Sequence, residues 1–420
     1  MSNQTVECSN SDCALVGSST IVLVADAFQS NGIEHLKAIG CNVEFDPSLQ
    51  GDSLKDAISE KNPDILVVRS TRVTAEMMDA SDRLSLIIRA GAGYDTIDTT
   101  EASNRGISVA NCPGKNSIAV AELAWGLILA CDRRIPDQVI ELRKNCWNKK
   151  EYSKAHGLFG RTIGIVGLGG IGLEVLKRAK SFGMKVVAWS RSLSEEEAEL
   201  LGIEYCESLY QLAKLSDVVT VHIASTSLTK NLIDREFLAL MKDKAIFINT
   251  SRGSVVDEVA LAEAVQSKQL RVGLDVYADE PSATDKTFNS AITSDSQVYG
   301  THHVGASTSQ AQEAIGSEAV RIIEIYVEEG RVMNCVNQSV ETSGTALLSI
   351  RHKNLPGVLA HVFDELSIAG INVEEMENVL YKGGYAACAR IQLGDIPTPE
   401  LMNAIKNNEN IYSVTLTTKN

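Results

Sequence analysis

Short apolar runs alternate with amphipathic segments through the first three quarters of the chain. The runs are rich in Val and Ile, as in strands that are buried on both faces of a parallel sheet. They are residues 20–25, 43–45, 64–68, 86–90, 162–166, 185–189, 218–223, 245–249, 270–277 and 298–304. Strands that alternate with helices form βαβ units, so the pattern predicts an α/β fold with two doubly wound parallel-sheet domains.

The pattern changes after residue 345. Strands are predicted at 346–351, 372–380, 385–393 and 411–417, with helices at 356–369 and 399–406. This βαββαβ order predicts a separate, ferredoxin-like domain with an antiparallel sheet. The expected domains are a polar, flexible lead-in at 1–19, a first domain at 20–116 and 309–340, a second domain at 117–308, and the small domain with its linker at 341–420.

Glycines follow the apolar run at 162–166 in the spacing G-x-G-x-x-G. Gly167 permits a tight turn, Gly169 lets the backbone approach a pyrophosphate, and Gly172 lets the next helix lie close to the strand. Gly170 and Ile171 complete the loop. Because the loop joins a strand to a helix and a second strand follows, the segment predicts a dinucleotide-binding, Rossmann-like domain.

The ribose-binding acid of NAD-binding domains is expected about 20 residues further on, at the end of the second strand. Ser190 and Arg191 stand there instead. A serine does not repel a 2′-phosphate, and Arg191 can pair with one. The alternative is that Arg191 is an ordinary solvated charge, so the sequence leaves both NAD and NADP open.

The charge and composition of the chain limit which classes of partner molecule we expect. The chain has 54 acidic and 39 basic residues and a net charge of −15. Nucleic-acid-binding proteins carry basic patches, so we expect no such partner. We also expect no membrane partner, because no apolar run reaches transmembrane length. The nine cysteines lack C-x-x-C spacing, which indicates free thiols in a reducing cytoplasm and no metal site.

Two arginines stand at strand ends in the first domain, where parallel sheets bind ligands. Arg69 ends the run at 64–68, and Arg89 precedes the glycine loop of Gly91 and Gly93. Each alone is more often a surface charge, but two neighbouring guanidinium groups suit an anion. We therefore predict a substrate-binding anion site there, to which Lys115 can contribute.

Three titratable residues stand at strand ends in the second domain: Arg252, Glu280 and His303. A hydride transfer from a hydroxy acid needs a base for the hydroxyl proton, which His303 can be. It needs a cation for the carboxylate, which Arg252 supplies. A carboxylate such as Glu280 would orient the base. Each residue alone has an ordinary structural explanation, so spacing alone does not decide the roles.

Four segments together resemble the D-isomer-specific 2-hydroxyacid dehydrogenases. They are GLGGIG at 167–172, NTSRG at 249–253, GLDVYADEP at 273–281 and HVGAST at 303–308. The resemblance implies that His303 is the acid/base, Glu280 its partner and Arg252 the carboxylate clamp. It further implies cofactor contacts by His222, Thr250 and Asp275, the last to the nicotinamide amide. His302 stands where the family usually has proline, but His303 keeps the register.

The tail resembles the regulatory ACT domain that some members of this family carry. Its effector site is implied at His352, Asn354 and Asn372, with serine as effector between two copies of the domain. This combination implies NAD-dependent oxidation of 3-phospho-D-glycerate to 3-phosphooxypyruvate, the first step toward serine, by a homo-oligomer (tetramer or dimer). The open alternatives are an NADPH-dependent glyoxylate or hydroxypyruvate reductase and a non-catalytic, dinucleotide-sensing interaction protein.

Overall fold

Three β-sheets contain the named strands of this computed structural model, which describes residues 20–281, 287–339 and 344–418. The two parallel sheets belong to one unit, Met1–Asn337, and the antiparallel sheet belongs to a second unit, Gln338–Asn420. The predicted lead-in at 1–19 and residues 341–343 of the predicted linker lie outside the described residues.

The first sheet has five parallel strands in the order β2-β1-β3-β4-β5. Their bounds are β1 Ile21–Val24, β2 Asn42–Phe45, β3 Ile65–Val68, β4 Leu86–Arg89 and β5 Ser108–Asn111. Successive side chains point to opposite faces, so strands β1, β3, β4 and β5 each contribute to two apolar cores. The helices between the strands cover both faces; they are α1 Ser30–Ala38, α2 Gly51–Lys61, α3 Ala75–Met78 and α4 Thr99–Asn104.

The second sheet has seven parallel strands in the order β12-β11-β10-β9-β6-β7-β8. Their bounds are β6 Thr162–Val166, β7 Lys185–Trp189, β8 Glu204–Tyr205, β9 Val218–Val221, β10 Ile246–Asn249, β11 Arg271–Leu274 and β12 Val298–Gly300. Its helices are α5 Ser117–Arg133, α6 Ile135–Arg143, α7 Lys149–Tyr152, α8 Gly170–Ser181, α9 Glu195–Leu200, α10 Leu209–Leu215, α11 Arg235–Leu240 and α12 Glu258–Lys268. Two apolar cores cover the two faces.

A long helix, α13 Ser309–Glu329, follows the second sheet but packs on the first. Its apolar face, which includes Ile315, Ala319 and Ile322, joins the core formed by strands β1, β3 and β4. The chain therefore passes between the two sheets twice, once before α5 and once before α13.

Several predicted strands are shorter than the apolar runs indicated, and two of them end at least three residues early. The run at 270–277 gives a strand that ends at Leu274, and the run at 298–304 gives one that ends at Gly300. The prediction that Asp275 lies within a strand is wrong. The reason is a long-range contact: the Asp275 carboxylate accepts hydrogen bonds from the backbone N–H groups of Val304 and Gly305, which lie 29 and 30 positions further along, and the chain leaves the sheet there.

The small unit has four antiparallel strands in the order β14-β15-β13-β16, with helices packed on one face. The elements are β13 Ala346–Lys353, α14 Val358–Ile368, β14 Val373–Leu380, β15 Ala386–Leu393, α15 Pro399–Lys406 and β16 Ile411–Thr418. The predicted parallel-sheet domains and the separate small antiparallel sheet are confirmed. Among the described residues, no helix combines the length and apolar character that crossing a bilayer requires.

Candidate functional site

The glycine-rich loop follows β6 and leads into α8. Gly167 has a φ of +93°, and a Cβ there would collide with the carbonyl of His222, so this turn requires glycine. A Cβ on Gly172 would collide with the carbonyl of Gly167, whereas a Cβ on Gly169 would meet nothing within 4 Å. The loop is therefore closely packed on its protein side and open at Gly169.

A second helix begins beside this loop. Gly170 and Ile171 form the first turn of α8, and a Cβ on Gly170 would lie 2.8 Å from the hydroxyl oxygen of Ser117, the first residue of α5. Two helix N-termini therefore meet next to the loop. Each carries free N–H groups and the positive end of a helix dipole, which favour a bound phosphate.

Two buried polar atoms at the neighbouring strand ends have no hydrogen-bond partner within the described residues. They are Nδ1 of His222, just after β9, and Oγ1 of Thr250, just after β10. The His222 ring is bonded through Nε2 to Thr220 at 2.8 Å, and burial lowers the pKa of His222 to about 3, so the ring is neutral. Buried polar atoms normally have partners, so both atoms, together with the glycine loop, fit a bound dinucleotide.

The end of β7 is the third part of this edge. Ser190 follows Trp189, whose carbonyl accepts a hydrogen bond from the Gly167 N–H at 2.8 Å. Arg191 is exposed, and it forms no ion pair with the residues that the structure describes. Its guanidinium therefore stands available at the strand end where the sequence predicts an adenosine ribose.

His303 and Glu280 form a hydrogen-bonded pair. The Nδ1 of His303 lies 2.7 Å from Oε2 of Glu280, and the other Glu280 oxygen accepts the N–H of Tyr277 at 3.1 Å. Burial alone would raise the pKa of Glu280, but the hydrogen bond and charge of His303, with a contribution from Arg252, leave that pKa lowered. Glu280 is therefore an ionised acceptor, which fixes the proton on Nδ1 and leaves Nε2 for proton exchange.

The loop that carries His303 is held by Asp275. The carboxylate accepts the Thr301 hydroxyl at 2.6 Å, the Val304 N–H at 2.9 Å and the Gly305 N–H at 2.8 Å, and it is 1% exposed. The backbone carbonyl of Asp275 accepts the N–H of His303 at 2.8 Å. His303 has a φ of +53°, which is unusual for a residue with a Cβ. The Asp275 carboxylate thus binds the loop at 301–305. Its predicted contact with a nicotinamide amide stays a prediction.

Arg252 stands on a turn that Asn249 organises. The buried Asn249 side chain accepts the N–H and the hydroxyl of Ser251 and donates to the Arg252 carbonyl at 2.9 Å. A Cβ on Gly253 would collide with the carbonyl of Tyr277, so this turn lies directly against the turn that carries Glu280. Arg252, Glu280 and His303 are therefore brought to one place.

Arg69, Arg89 and Arg252 form what we call the arginine cluster. Burial lowers the pKa of Arg89 to about 10, and the charges of Arg252 and Arg69 contribute, although Asp95 opposes them. The Arg89 guanidinium lies so close to Gly91 that a Cβ there would collide with it, and Nε of Arg89 has no partner among the described residues. Three guanidinium groups in one region, of which Arg252 and Arg89 share the carboxylate of Asp95, suit an anionic ligand.

The surrounding loops explain how these cations are placed. Asp26 accepts the backbone N–H groups of Arg69, Ser70 and Thr71 at 2.7, 3.2 and 3.1 Å, which fixes the loop after β3. Gly93 has no room for a Cβ, which would collide with the Arg252 guanidinium. Gly91 and Gly93 therefore serve the predicted anion site by making room for arginine side chains.

Lys115 was expected to add a cation to this site, and its position argues against that role. Its ammonium lies 3.2 Å from Oε2 of Glu318 on α13. The same carboxylate accepts Arg321 at 2.7 Å and Asn334 at 2.9 Å. Because the Lys115 ammonium contacts this buried acid, we leave Lys115 out of the arginine cluster.

The chain is similar to known proteins over about three quarters of its length. The family model for the D-isomer specific 2-hydroxyacid dehydrogenase, NAD binding domain, matches residues 125–305. A hydroxypyruvate reductase of Thermotoga maritima is 44% identical over 284 residues, which are 67% of this chain and 89% of that protein. The chain belongs to the D-isomer specific 2-hydroxyacid dehydrogenases.

Two further proteins to which this chain is similar carry the name of a phosphoglycerate dehydrogenase. A D-3-phosphoglycerate dehydrogenase of Methanocaldococcus jannaschii is 39% identical over 318 residues, which are 75% of this chain. The match spans only 59% of that relative's length. The solved structure of a cofactor (NAD+) bound 3-phosphoglycerate dehydrogenase of Entamoeba histolytica has a TM-score of 0.63 and 25% identity, and covers 77% of this chain and 100% of that chain.

The predicted effector residues in the tail do not meet within one chain. His352 is 2% exposed, with Nε2 3.2 Å from Oδ1 of Asn378, and the amide of Asn354 donates to the Gly384 carbonyl at 2.9 Å. Asn372 lies at the other end of the sheet, where its carbonyl accepts the N–H of Gly394 at 3.0 Å. The two ends are about 20 Å apart along the strands.

Three residues of the site were missed from the sequence: Asp26, Asp95 and Asn249. Each lies at or just beyond a strand end, or in the loop that follows one, on the edge that carries the other site residues. Their positions near strand ends were the feature of the sequence that could have identified them. Asp95 pairs with Arg252, which is far away in sequence, and Asp26 and Asn249 bind mainly backbone groups, which spacing does not reveal.

Proposed function

We propose that this dehydrogenase oxidises 3-phospho-D-glycerate to 3-phosphooxypyruvate with a nicotinamide dinucleotide. The observation that carries the proposal is the position of Arg252: its turn packs against the turn that carries Glu280, and its guanidinium lies against Gly93 in the loop that follows Arg89. A proton-transfer pair therefore adjoins the arginine cluster. A non-catalytic dinucleotide sensor would need neither.

The charge of each residue determines its role in the proposed reaction. Nε2 of His303 takes the proton of the substrate hydroxyl, and ionised Glu280 stabilises the imidazolium that forms. Arg252 binds the carboxylate and the oxygen that becomes a carbonyl. When bound, the nicotinamide ring supplies the acceptor for the hydride on the same carbon.

The arginine cluster suits a phosphorylated hydroxy acid. A phosphate monoester carries about −1.5 to −2 charge at pH 7 and three acceptor oxygens, and the carboxylate adds one more negative charge. Arg69 and Arg89 would bind the phosphate, since guanidinium groups match phosphate geometry. The D-3-phosphoglycerate dehydrogenases among the relatives support this substrate.

Steady-state kinetics with the purified protein test the proposal. We expect reduction of NAD+ with 3-phospho-D-glycerate when a trap removes the oxoacid, and markedly weaker turnover with D-glycerate. Absence of turnover with the phosphorylated acid, or equal turnover of both acids, would reject it.

A second candidate is an NADPH-dependent reductase of glyoxylate or hydroxypyruvate. Ser190 and Arg191, which has no ion-pair partner in the part of the chain that the structure describes, favour this candidate, because they suit a 2′-phosphate. The Thermotoga maritima relative also carries the name hydroxypyruvate reductase. Comparing NADH with NADPH, each with hydroxypyruvate and with 3-phosphooxypyruvate, separates the two functions.

We further propose that the small unit is an ACT domain that binds serine between two copies in a homo-oligomer. One copy would supply His352 and Asn354 and the other Asn372, because antiparallel pairing of two copies through the edge strand β14 brings opposite ends together. Met376, Val379 and Leu380 on that edge are exposed. We expect serine to lower turnover and Asn372→Ala to abolish this inhibition; serine binding without inhibition would leave the unit an assembly module.

A further inference from the structure

Asp95 and Arg252 form an ion pair that joins the two parallel sheets. Asp95 lies in the loop after β4, and Arg252 lies in the turn after β10 of the other sheet. Nη2 of Arg252 donates to Oδ1 of Asp95 at 2.9 Å, and Nε donates to Oδ2 at 3.3 Å. Both carboxylate oxygens therefore engage one edge of the guanidinium, a two-point contact that adds directional specificity.

The pair is built into the loop that precedes it. A Cβ on Gly93 would collide with Nη2 of Arg252 and would lie 3.0 Å from Oδ1 of Asp95. Burial alone would raise the pKa of Asp95, but the hydrogen bond and charge of Arg252 outweigh it and leave that pKa lowered. Asp95 is thus an ionised carboxylate that also faces Arg89, whose positive charge it partly offsets.

The remaining donors of Arg252 show what this contact leaves available. A guanidinium has five N–H donors. Asp95 engages one on Nε and one on Nη2, and the carbonyl of Ser251 accepts one from Nη1 at 2.8 Å. Within the described residues, one N–H on each terminal nitrogen is left, which is the number that a two-point contact with a second carboxylate needs.

We propose that Asp95 is a positioning residue that fixes Arg252 with its two remaining N–H groups directed at the substrate carboxylate. The inference rests on the proposed role of Arg252 as carboxylate clamp, and it holds for any 2-hydroxy or 2-oxo acid substrate. It also opposes a second interpretation, in which the Asp95 carboxylate occupies the place of the substrate carboxylate and competes with it.

The experiment measures oxalate binding by titration calorimetry on the full chain loaded with NADH, because oxalate is a carboxylate probe that does not react. The variants are Asp95→Asn and, as matched control, Asp98→Asn in the same loop, where the acid caps α4 by accepting the Glu101 N–H. We expect Asp95→Asn to weaken oxalate binding about 5- to 30-fold. NADH affinity should change less than about twofold in both variants, and Asp98→Asn should leave oxalate binding unchanged.

A rescue experiment separates positioning from a general structural defect. In Asp95→Gly, added formate can take the place of the lost carboxylate beside Arg252, so oxalate affinity should recover in part as formate is raised. Unchanged or tighter oxalate binding in Asp95→Asn would overturn the inference and favour competition. Wild-type protein that binds oxalate but does not oxidise 3-phospho-D-glycerate would reject the proposed function alone, and wild-type protein that does not bind oxalate would reject the clamp and this inference with it.

Discussion

The imidazole of His303 donates to the carboxylate of Glu280 across 2.7 Å, although the two residues stand 23 positions apart. Glu280 receives the Tyr277 N–H on its second oxygen, and His303 keeps a left-handed backbone because Asp275 binds the loop around it. The pair is therefore oriented from both sides before any ligand arrives, as efficient proton transfer requires.

Substitution of His303 tests which of the two adjacent histidines exchanges the proton. We expect His303→Ala to lower kcat by about 10²- to 10⁴-fold, the usual contribution of a general base. His302→Ala is the matched control, and its kcat should stay within about twofold of wild type. Steady-state kinetics decide between them, and a large loss in the His302 variant alone would overturn the assignment.

Substitution of Glu280 by glutamine should move the pH profile. The lowered pKa of Glu280 keeps its carboxylate ionised at and above its ordinary pKa, so it does not itself titrate at neutral pH. In Glu280→Gln the imidazolium loses its negative neighbour, and the acid limb of kcat/KM should move to lower pH while kcat falls. An acid limb at the wild-type position would mean that another group controls it.

Substitutions at the end of β7 test the choice of dinucleotide. Removal of the Arg191 guanidinium should raise KM for NADPH about tenfold and leave KM for NADH within about twofold, because only NADPH carries the 2′-phosphate. Ser190→Asp should disfavour NADPH in the same direction by repulsion. Arg143→Ala, at another exposed arginine of the second domain, is the control. Equal effects on both cofactors would show that Arg191 is a solvated surface charge.

The Glu318 network gives a stability prediction with a defined pH window. Hydrogen bonds from Arg321, Lys115 and Asn334 lower the pKa of Glu318 to about 2, against an ordinary value of 4.5. A lowered pKa stabilises the folded state above the unfolded-state value, and this contribution is lost as pH falls from about 4.5 toward 2.

Glu318→Gln should therefore lower the free energy of unfolding by about 1–3 kcal/mol at pH 7. The difference from wild type should shrink as the pH is lowered through the window. Chemical denaturation at several pH values measures it, with the exposed Glu313→Gln on the same helix as control. A difference that is independent of pH would show that the ionised carboxylate is not the stabilising form.

Much of the fold was predictable from the sequence, because the patterns that indicate its strands, turns and helices are local. The spacing of Gly167, Gly169 and Gly172 between two apolar runs is sufficient to predict the turn and the close helix that the structure contains. The lengths of the strands at Asp275 and beyond were not predictable in this way. Apolar composition continues past the sheet there, and only the long-range bond from the carboxylate to the loop at 304–305 ends it.

The site was partly predictable for the same reason. Parallel strands end at a common edge, so Arg252, Glu280 and His303 could be expected to lie close together from their positions alone. The partners of charged residues could not. Lys115 pairs with Glu318, more than 200 residues away, and Asp95 reaches Arg252 from the other sheet, neither of which has a local sequence pattern.

The most direct test of the central proposal is the ratio of kcat/KM for 3-phosphooxypyruvate to kcat/KM for hydroxypyruvate, measured in wild type and in Arg69→Ala. The two substrates differ only in the phosphate, so the ratio isolates its recognition. We predict a wild-type ratio well above one that falls at least about tenfold in Arg69→Ala, while kcat/KM for hydroxypyruvate changes little. A wild-type ratio at or below one, or a ratio that Arg69→Ala leaves unchanged, would contradict the account.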